Sequence, residues 1–258
     1  MRDQKESVFY QGEWRWSNFL KYLVSKLNKY DLIENVLPSK FAFKESTYGP
    51  KKSKNNVQLL NWSAHNKKIN LARAVCINSP TYEVLNFLII PNTIYNVPFF
   101  GVDFVTLPNL HLLVLDFQPS LPIEKQFDKD LLGTIIKMKN TYHQVVPYGG
   151  KMPSEVDKFF SPGLIWSKLP KNSKSNDLIA NQIYSAFQEY LNLYLEILFA
   201  SNKIQIELES KIKQGQNSYL NYRKAKDPAR PMLTNLFGKE FTEELIENIL
   251  FSAKQPYN

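Results

Sequence analysis

A single cysteine, Cys76, is the only thiol in this chain of 258 residues. It excludes an internal disulfide and any all-cysteine iron–sulfur site, because such clusters need several thiolates at defined spacings. Cys76 falls in the alternating apolar run 71–77 and reads as a small buried hydrophobe. Histidine is nearly as scarce: His65, His111 and His143 stand in unrelated contexts, with no His-Glu-x-x-His or Cys-x-x-Cys partner, so the sequence predicts no bound metal. Glycine is limited to 9 residues, and none falls in Gly-x-Gly-x-x-Gly, Gly-x-x-x-x-Gly-Lys-Ser/Thr or Gly-x-Ser-x-Gly. Nicotinamide, nucleoside triphosphate and acyl-transfer chemistry therefore lack a motif. No stretch approaches the ~20 uninterrupted apolar residues of a membrane span. The start, Met1-Arg2-Asp3-Gln4-Lys5-Glu6, carries both signs of charge and no apolar leader, which predicts a cytoplasmic protein without a membrane partner.

Hydrophobic residues make up 43% of the chain. A chain of this size and composition is expected to fold as one domain over residues 1–258, with 1–13 flexible. Phenylalanine and tyrosine are abundant, at 17 and 14, which suits a core or a cleft for a flat conjugated ligand. Lys and Arg outnumber Asp and Glu by 32 to 24, a formal net charge of +8, so the surface should attract acidic partners. The basic residues are spread along the chain and no zinc finger, basic zipper or RNP-type strand accompanies them. Nucleic acid is therefore not an expected partner, and an acidic protein or small-molecule acid fits better.

The pattern runs from helix to strands to helices. Trp16, Phe19, Leu20, Leu23 and Leu27 recur at helical spacing. Short β-rich runs follow at 57–64, 70–77, 83–90, 102–107 and 110–117, bounded by Asn, Pro, Ser or Gly. They are too closely spaced for crossover helices, so they predict an antiparallel meander. A helix over 128–142, a strand over 163–169, a long helix from near Asn176 and another over 208–222 come next, and Thr242 is expected to cap a last helix. Helices on both sides of the sheet give an α/β fold, a three-layer α/β/α sandwich with a central antiparallel sheet.

Two acids stand out. Asp103 ends the block Asn96-Val97-Pro98-Phe99-Phe100-Gly101-Val102-Asp103, and Asp227 lies in Lys226-Asp227-Pro228-Ala229-Arg230. A carboxylate among apolar side chains is expensive to ionise and can keep a proton to donate near neutral pH. The plainer reading makes both turn or cap residues, since Asp after Gly or before Pro often has that job. Alternation along 102–107 sets Asp103, Val105 and Leu107 on one face of the sheet and Val102, Phe104 and Thr106 on the other.

The stretches 43–52, Val84-Leu85-Asn86-Phe87, Val97 through Asp103 as written above, 111–119, Phe159-Phe160-Ser161-Pro162-Gly163 and Lys226-Asp227-Pro228-Ala229-Arg230 together resemble the ferredoxin-dependent bilin reductases. The blocks run in family order from about Trp14 to Phe251. The resemblance implies an open-chain tetrapyrrole held between the sheet and the carboxy-terminal helices. It also implies radical reduction with no bound flavin, metal or nicotinamide, reduced ferredoxin supplying single electrons and side chains supplying protons. The branch most similar to this chain reduces the A-ring diene of 15,16-dihydrobiliverdin to phycoerythrobilin, with an upstream bilin reductase as a further partner for substrate transfer.

By the same resemblance Asp103 and Asp227 are the proton donors. Asn86 occupies the position where phycocyanobilin-forming relatives carry a catalytic His, which fits a single two-electron reduction. Asn86, Phe100, Arg223 and Arg230 are the expected substrate-binding residues, the two arginines for the propionates because guanidinium pairs well with carboxylate. Pro231 departs from the pattern, since relatives of this branch usually have Gly after Asp-Pro-Ala-Arg; Pro fixes φ and removes an N–H next to the segment carrying Asp227. The rival readings are a sister reductase acting on biliverdin and a non-catalytic bilin carrier. Loss of the acids would mark a carrier, and both are present.

Overall fold

The computed structural model describes residues 7–10 and 14–253. The expectation of flexibility over 1–13 falls mostly outside them; within them, Ser7–Tyr10 form a helical turn whose Phe9 ring meets Trp14 edge-on at 5.1 Å.

Among the described residues, eight strands make one sheet in which every pair is antiparallel. They are β1 (Ile33–Glu34), β2 (Phe43–Tyr48), β3 (Asn55–His65), β4 (Ile69–Asn78), β5 (Glu83–Pro91), β6 (Phe99–Thr106), β7 (Leu110–Gln118) and β8 (Ile165–Pro170). From β3 to β7 the order in space is the order in sequence, as the short Asn-, Pro- and Ser-rich connections require. β1 and β2 both pair with β3 and were not legible in the hydrophobic pattern. β2 is a half-exposed edge strand whose Lys44, Glu45, Ser46 and Thr47 carry little apolar signal.

Helices cover both faces, giving the α/β/α layers expected from sequence. On one face the Ser17–Leu27 and Tyr184–Ala200 helices place Phe19, Leu23, Phe187, Tyr190 and Tyr194 over Phe100, Phe104 and Phe117. The rings meet edge-on or tilted, for example Phe19 with Phe104 at 5.3 Å and Phe117 with Tyr190 at 5.6 Å. On the other face the Ile206–Lys226, Arg230–Phe237 and Lys239–Leu245 helices pack on Leu71, Val75, Leu88 and Phe99.

Local chemistry fixes the helix ends. Asp128 Oδ1 accepts from Leu131 N at 2.8 Å and starts the Lys129–His143 helix. Asn172 Oδ1 accepts from Ser175 N at 2.9 Å, so the helix expected near Asn176 begins at Ser173 and passes through a π-helical turn, Ile179–Ile183, into Tyr184–Ala200. Thr242 is not a cap. Gly238, at φ 84°, precedes that helix, and Thr242 sits a turn inside it, donating its hydroxyl to the Gly238 carbonyl at 2.8 Å. The Ile206–Lys226 helix comes so close to the loop after β7 that a Cβ on Gly215 would lie 1.6 Å from the Ser120 carbonyl oxygen.

Candidate active site

Parity along β6 builds the site. Phe100, Val102 and Phe104 point into the aromatic core on one face, so the intervening Gly101, Asp103 and Val105 point to the carboxy-terminal helices. Register then supplies Asp103 with a partner: Asn86 of β5 stands directly opposite, and its Nδ2 donates to Asp103 Oδ1 at 3.0 Å. On β4, Arg73 pairs with Leu88 and is therefore the diagonal neighbour of Asn86, within reach of a long side chain. Its Nη1 donates to Asn86 Oδ1 at 2.7 Å.

The opposite wall comes from one stripe of the Ile206–Lys226 helix. Tyr219 and Arg223 sit one turn apart on it, and Asp227, at the helix's C-terminal cap, follows behind Arg223. Between sheet and helix lies a small cavity of about 40 Å³ that opens to the surface. Arg73, Asn86, Asp103, Gln118, Tyr219 and Arg223 supply its polar lining, and Phe160 and Phe251 are its aromatic walls. Gly101 makes room for it: a Cβ there would meet the Gln118 amide at 2.7 Å. The Phe251 ring faces both guanidiniums, with Arg73 Cζ 5.8 Å and Arg223 Cζ 5.2 Å from its centroid. The Nε atoms of both arginines and Gln118 Oε1 are buried and have no hydrogen-bond partner among the described residues.

Charge is concentrated here under low exposure. Burial lowers Arg73 to about 10, still well above neutrality, with the nearby Arg223 acting in the same direction and Tyr219, Asp103 and Asp227 opposing. Asp227 is raised above the usual carboxylate range, chiefly by burial and further by the charge of Asp103, while Arg223 pulls the other way. Its carboxylate accepts from Arg223 Nη2 at 3.4 Å and from Ala229 N at 3.3 Å.

A loop closes one side. Asp116 of β7 is fully buried and accepts from both Ser161 N at 2.8 Å and Ser161 Oγ at 2.5 Å. Tyr190 donates to the Gly163 carbonyl at 2.7 Å. These bonds hold the segment bearing Phe160 against the cavity. Burial pushes Asp116 up to about 7, against the opposing effect of the Ser161 bonds.

Of the residues singled out from sequence, Asp103, Asn86 and Arg223 meet in the cavity wall. Asp227 sits behind Arg223, buried and in the same charge cluster but not on the lining itself. Its bond from Ala229 N also gives it the local turn role of the plainer reading. Phe100 is displaced: period-two alternation turns it away from Asp103, and it is fully buried against Phe117, Phe187 and Tyr194 on the far face. Arg230 is displaced as well, because its guanidinium engages Glu243 and the Lys224 carbonyl at the surface. Pro231 occupies the first turn of the Arg230–Phe237 helix, where a missing N–H costs no helical bond.

Sequence reasoning overlooked Arg73, Gln118, Tyr219 and Phe251. Arg73 had a signal, being the one charged residue in the otherwise apolar run 71–77. No histidine lines the cavity; His111 lies on the aromatic face, bonded to Thr106 Oγ1 at 3.0 Å, and burial lowers it to about 4. Among the described residues no group of three His, Cys, Asp or Glu could hold a metal ion, and no helix is long and apolar enough to cross a membrane.

A half-buried acid paired to a strand amide, facing two guanidiniums across an aromatic-walled cavity, sits on a fold that comparison assigns to a known class. Residues 20–252 match the family profile described as ferredoxin-dependent bilin reductase, and the chain belongs to that family. It is a ferredoxin-dependent bilin oxidoreductase, with ferredoxin as electron donor. Among relatives, it is 61% identical over 250 residues to the phycoerythrobilin:ferredoxin oxidoreductase of Prochlorococcus marinus (strain MIT 9301), spanning 96% of this chain and 99% of that protein. It is 37% identical over 239 residues to the protein of the same name from Synechococcus sp. (strain CC9311), spanning 92% and 93%. Among solved structures it matches phytochromobilin synthase from tomato in complex with biliverdin, with a TM-score of 0.77 and 25% identity over 92% of this chain and 83% of that one.

Proposed function

We propose that this protein reduces the A-ring diene of 15,16-dihydrobiliverdin to phycoerythrobilin. Reduced ferredoxin delivers two electrons singly, two protons are added, and bilin radicals lie between. The observation that carries the reading is the hydrogen-bonded pair of Asn86 and Asp103 on the wall of the cavity between sheet and helix. Each electron makes the bilin more basic, so a proton crosses from an acid already in reach. Asp103 is the donor on the sheet side. Asp227, which holds a proton more readily than an exposed aspartate, is the donor on the helix side, behind Arg223. The Arg223 guanidinium suits a propionate, and Asn86 binds the tetrapyrrole beside Asp103. The substrate is itself a partly reduced bilin, so an upstream reductase acting on biliverdin must supply it.

The test is an anaerobic assay with reduced ferredoxin, offering 15,16-dihydrobiliverdin and biliverdin separately and identifying products by absorbance and chromatography. Phycoerythrobilin from the first substrate is expected. Turnover of biliverdin alone, or tight bilin binding without turnover of either, would refute the assignment.

A further inference from the structure

We infer that Arg73 is a positioning residue that acts through Asn86 to decide which oxygen of Asp103 holds the transferable proton. This rests on Asp103 being a donor, as proposed above, and goes beyond it by assigning the atom and the residue that selects it.

An asparagine amide can present either end to a neighbour, because its oxygen accepts and its nitrogen donates. A guanidinium can only donate. With Arg73 Nη1 at 2.7 Å, the amide must turn its Oδ1 toward β4, which leaves Nδ2 facing β6. There it donates to Asp103 Oδ1 at 3.0 Å. An oxygen that accepts an N–H is a poor place for a proton of its own, since two hydrogens would point at each other. Protonated Asp103 therefore carries its hydrogen on Oδ2, turned away from Asn86.

Without Arg73 this direction is lost. The amide could rotate, offer Oδ1 to Asp103 and accept the acid's own hydrogen, tying up the proton the reaction needs. The arrangement resists such rotation in the native protein. Arg73 is 2% exposed and its guanidinium is held near the Phe251 ring. Asn86 and Asp103 are partly exposed to the cavity, so a ligand meets the oriented pair, while Arg73, although it reaches the cavity lining, is itself buried. The other ionisable groups facing Asp103 are Arg223, Asp227 and Tyr219, on the opposite helix and its end. They act on Asp103 through charge and do not set the orientation of the Asn86 amide.

The test is a double-mutant cycle with Arg73→Met, Asn86→Ala and the pair, plus Arg73→Lys, each checked for a cooperative melt and for bilin affinity. Turnover with saturating reduced ferredoxin is followed against pH, together with the pH titration of the bound-bilin absorbance. Arg73→Met should lose turnover at saturating bilin by about tenfold or more, beyond any change in bilin affinity, and shift the pH–rate profile. Arg73→Lys, still a pure donor, should recover most of the loss. In the Asn86→Ala background, Arg73→Met should add less than about twofold, since the relay is already cut. An undiminished loss in that background, or a folded Arg73→Lys variant as impaired as Arg73→Met, would overturn the inference. Should Arg73→Met fail to melt cooperatively, Arg73→Gln replaces it, because a Gln amide can present either end and removes the same bias. Parent protein that binds bilin but makes no phycoerythrobilin refutes the proposed function instead, while the absorbance titration still reads the coupling between Arg73 and Asn86.

Discussion

Arg223 and Asp227 lie one helical turn apart, and Arg223 Nη2 stands 3.4 Å from Asp227 Oδ1. That is long for a charge-assisted bond, which usually measures about 2.7–2.9 Å. The pair is loose enough for the guanidinium to turn to another carboxylate, and burial raises Asp227 even though Arg223 opposes the shift.

Asp227→Asn should bind bilin normally, because its side-chain oxygen can still accept from Ala229 N and the cavity lining is untouched. Reduction should stall partway, with a long-lived radical absorbance and little phycoerythrobilin. Stopped-flow spectra under reduced ferredoxin check this, and full turnover would reduce Asp227 to a turn residue.

Asp103→Asn should keep near-normal affinity for 15,16-dihydrobiliverdin yet lose about 100-fold or more of product formation, the scale of a missing general acid. Binding titrations beside product assays separate the two effects. Parental rates in this variant would make Asp103 structural.

Electron delivery should depend on salt. The chain carries a formal charge of +8, and steering of an acidic donor weakens as the Debye length falls to ~3 Å at 1 M salt. Under ferredoxin-limited conditions turnover should drop steeply with ionic strength, and a flat profile would count against charge steering.

Asp116 should make stability fall as pH rises. Its folded-state value of about 7 lies above the ordinary 3.8, so the folded protein binds the proton more tightly than the unfolded chain. The resulting stabilisation is complete below about pH 4 and is lost as pH climbs through about 7. Asp116→Asn mimics the protonated group, with Nδ2 toward Ser161 Oγ and Oδ1 toward Ser161 N. Melting temperatures from pH 5 to 8 should decline relative to this variant, and parallel curves would show that Asp116 does not titrate there.

Gly215→Ala should destabilise without touching the chemistry. The added methyl would fall 1.6 Å from the Ser120 carbonyl oxygen, with backbone on both sides and no flexible side chain to yield. Overpacking of this kind typically costs about 1–3 kcal/mol, to be read as a lower denaturation midpoint. An unchanged midpoint would mean that the helix can shift away from the loop.

Much of this was legible in sequence where period and turn chemistry agree. The β3 to β7 meander followed from short polar connections, and the facing of Asp103 away from Phe104 followed from alternation alone. The same alternation should have removed Phe100 from the site, but its place in a family-like block outweighed its parity. Asn86 and Asp103 are 17 positions apart, and only register makes them partners. Arg73 escaped because β4 is buried on both faces, which erases the polar and apolar alternation that marks a functional side. Tyr219 and Phe251 read as ordinary core aromatics; what distinguishes them is the cavity, a property of the assembled layers.

Neighbouring residues of β6 serve unrelated purposes, Val102 and Phe104 filling hydrocarbon core while Gly101 and Asp103 shape a polar chamber. This makes the strand intolerant of changes in length. Inserting or deleting one residue ahead of Asp103 would reverse every facing beyond it, driving a carboxylate into the aromatic layer and a phenylalanine into the chamber. Over the descent of such a chain, the length of β6 is therefore held as firmly as the identities of Gly101 and Asp103.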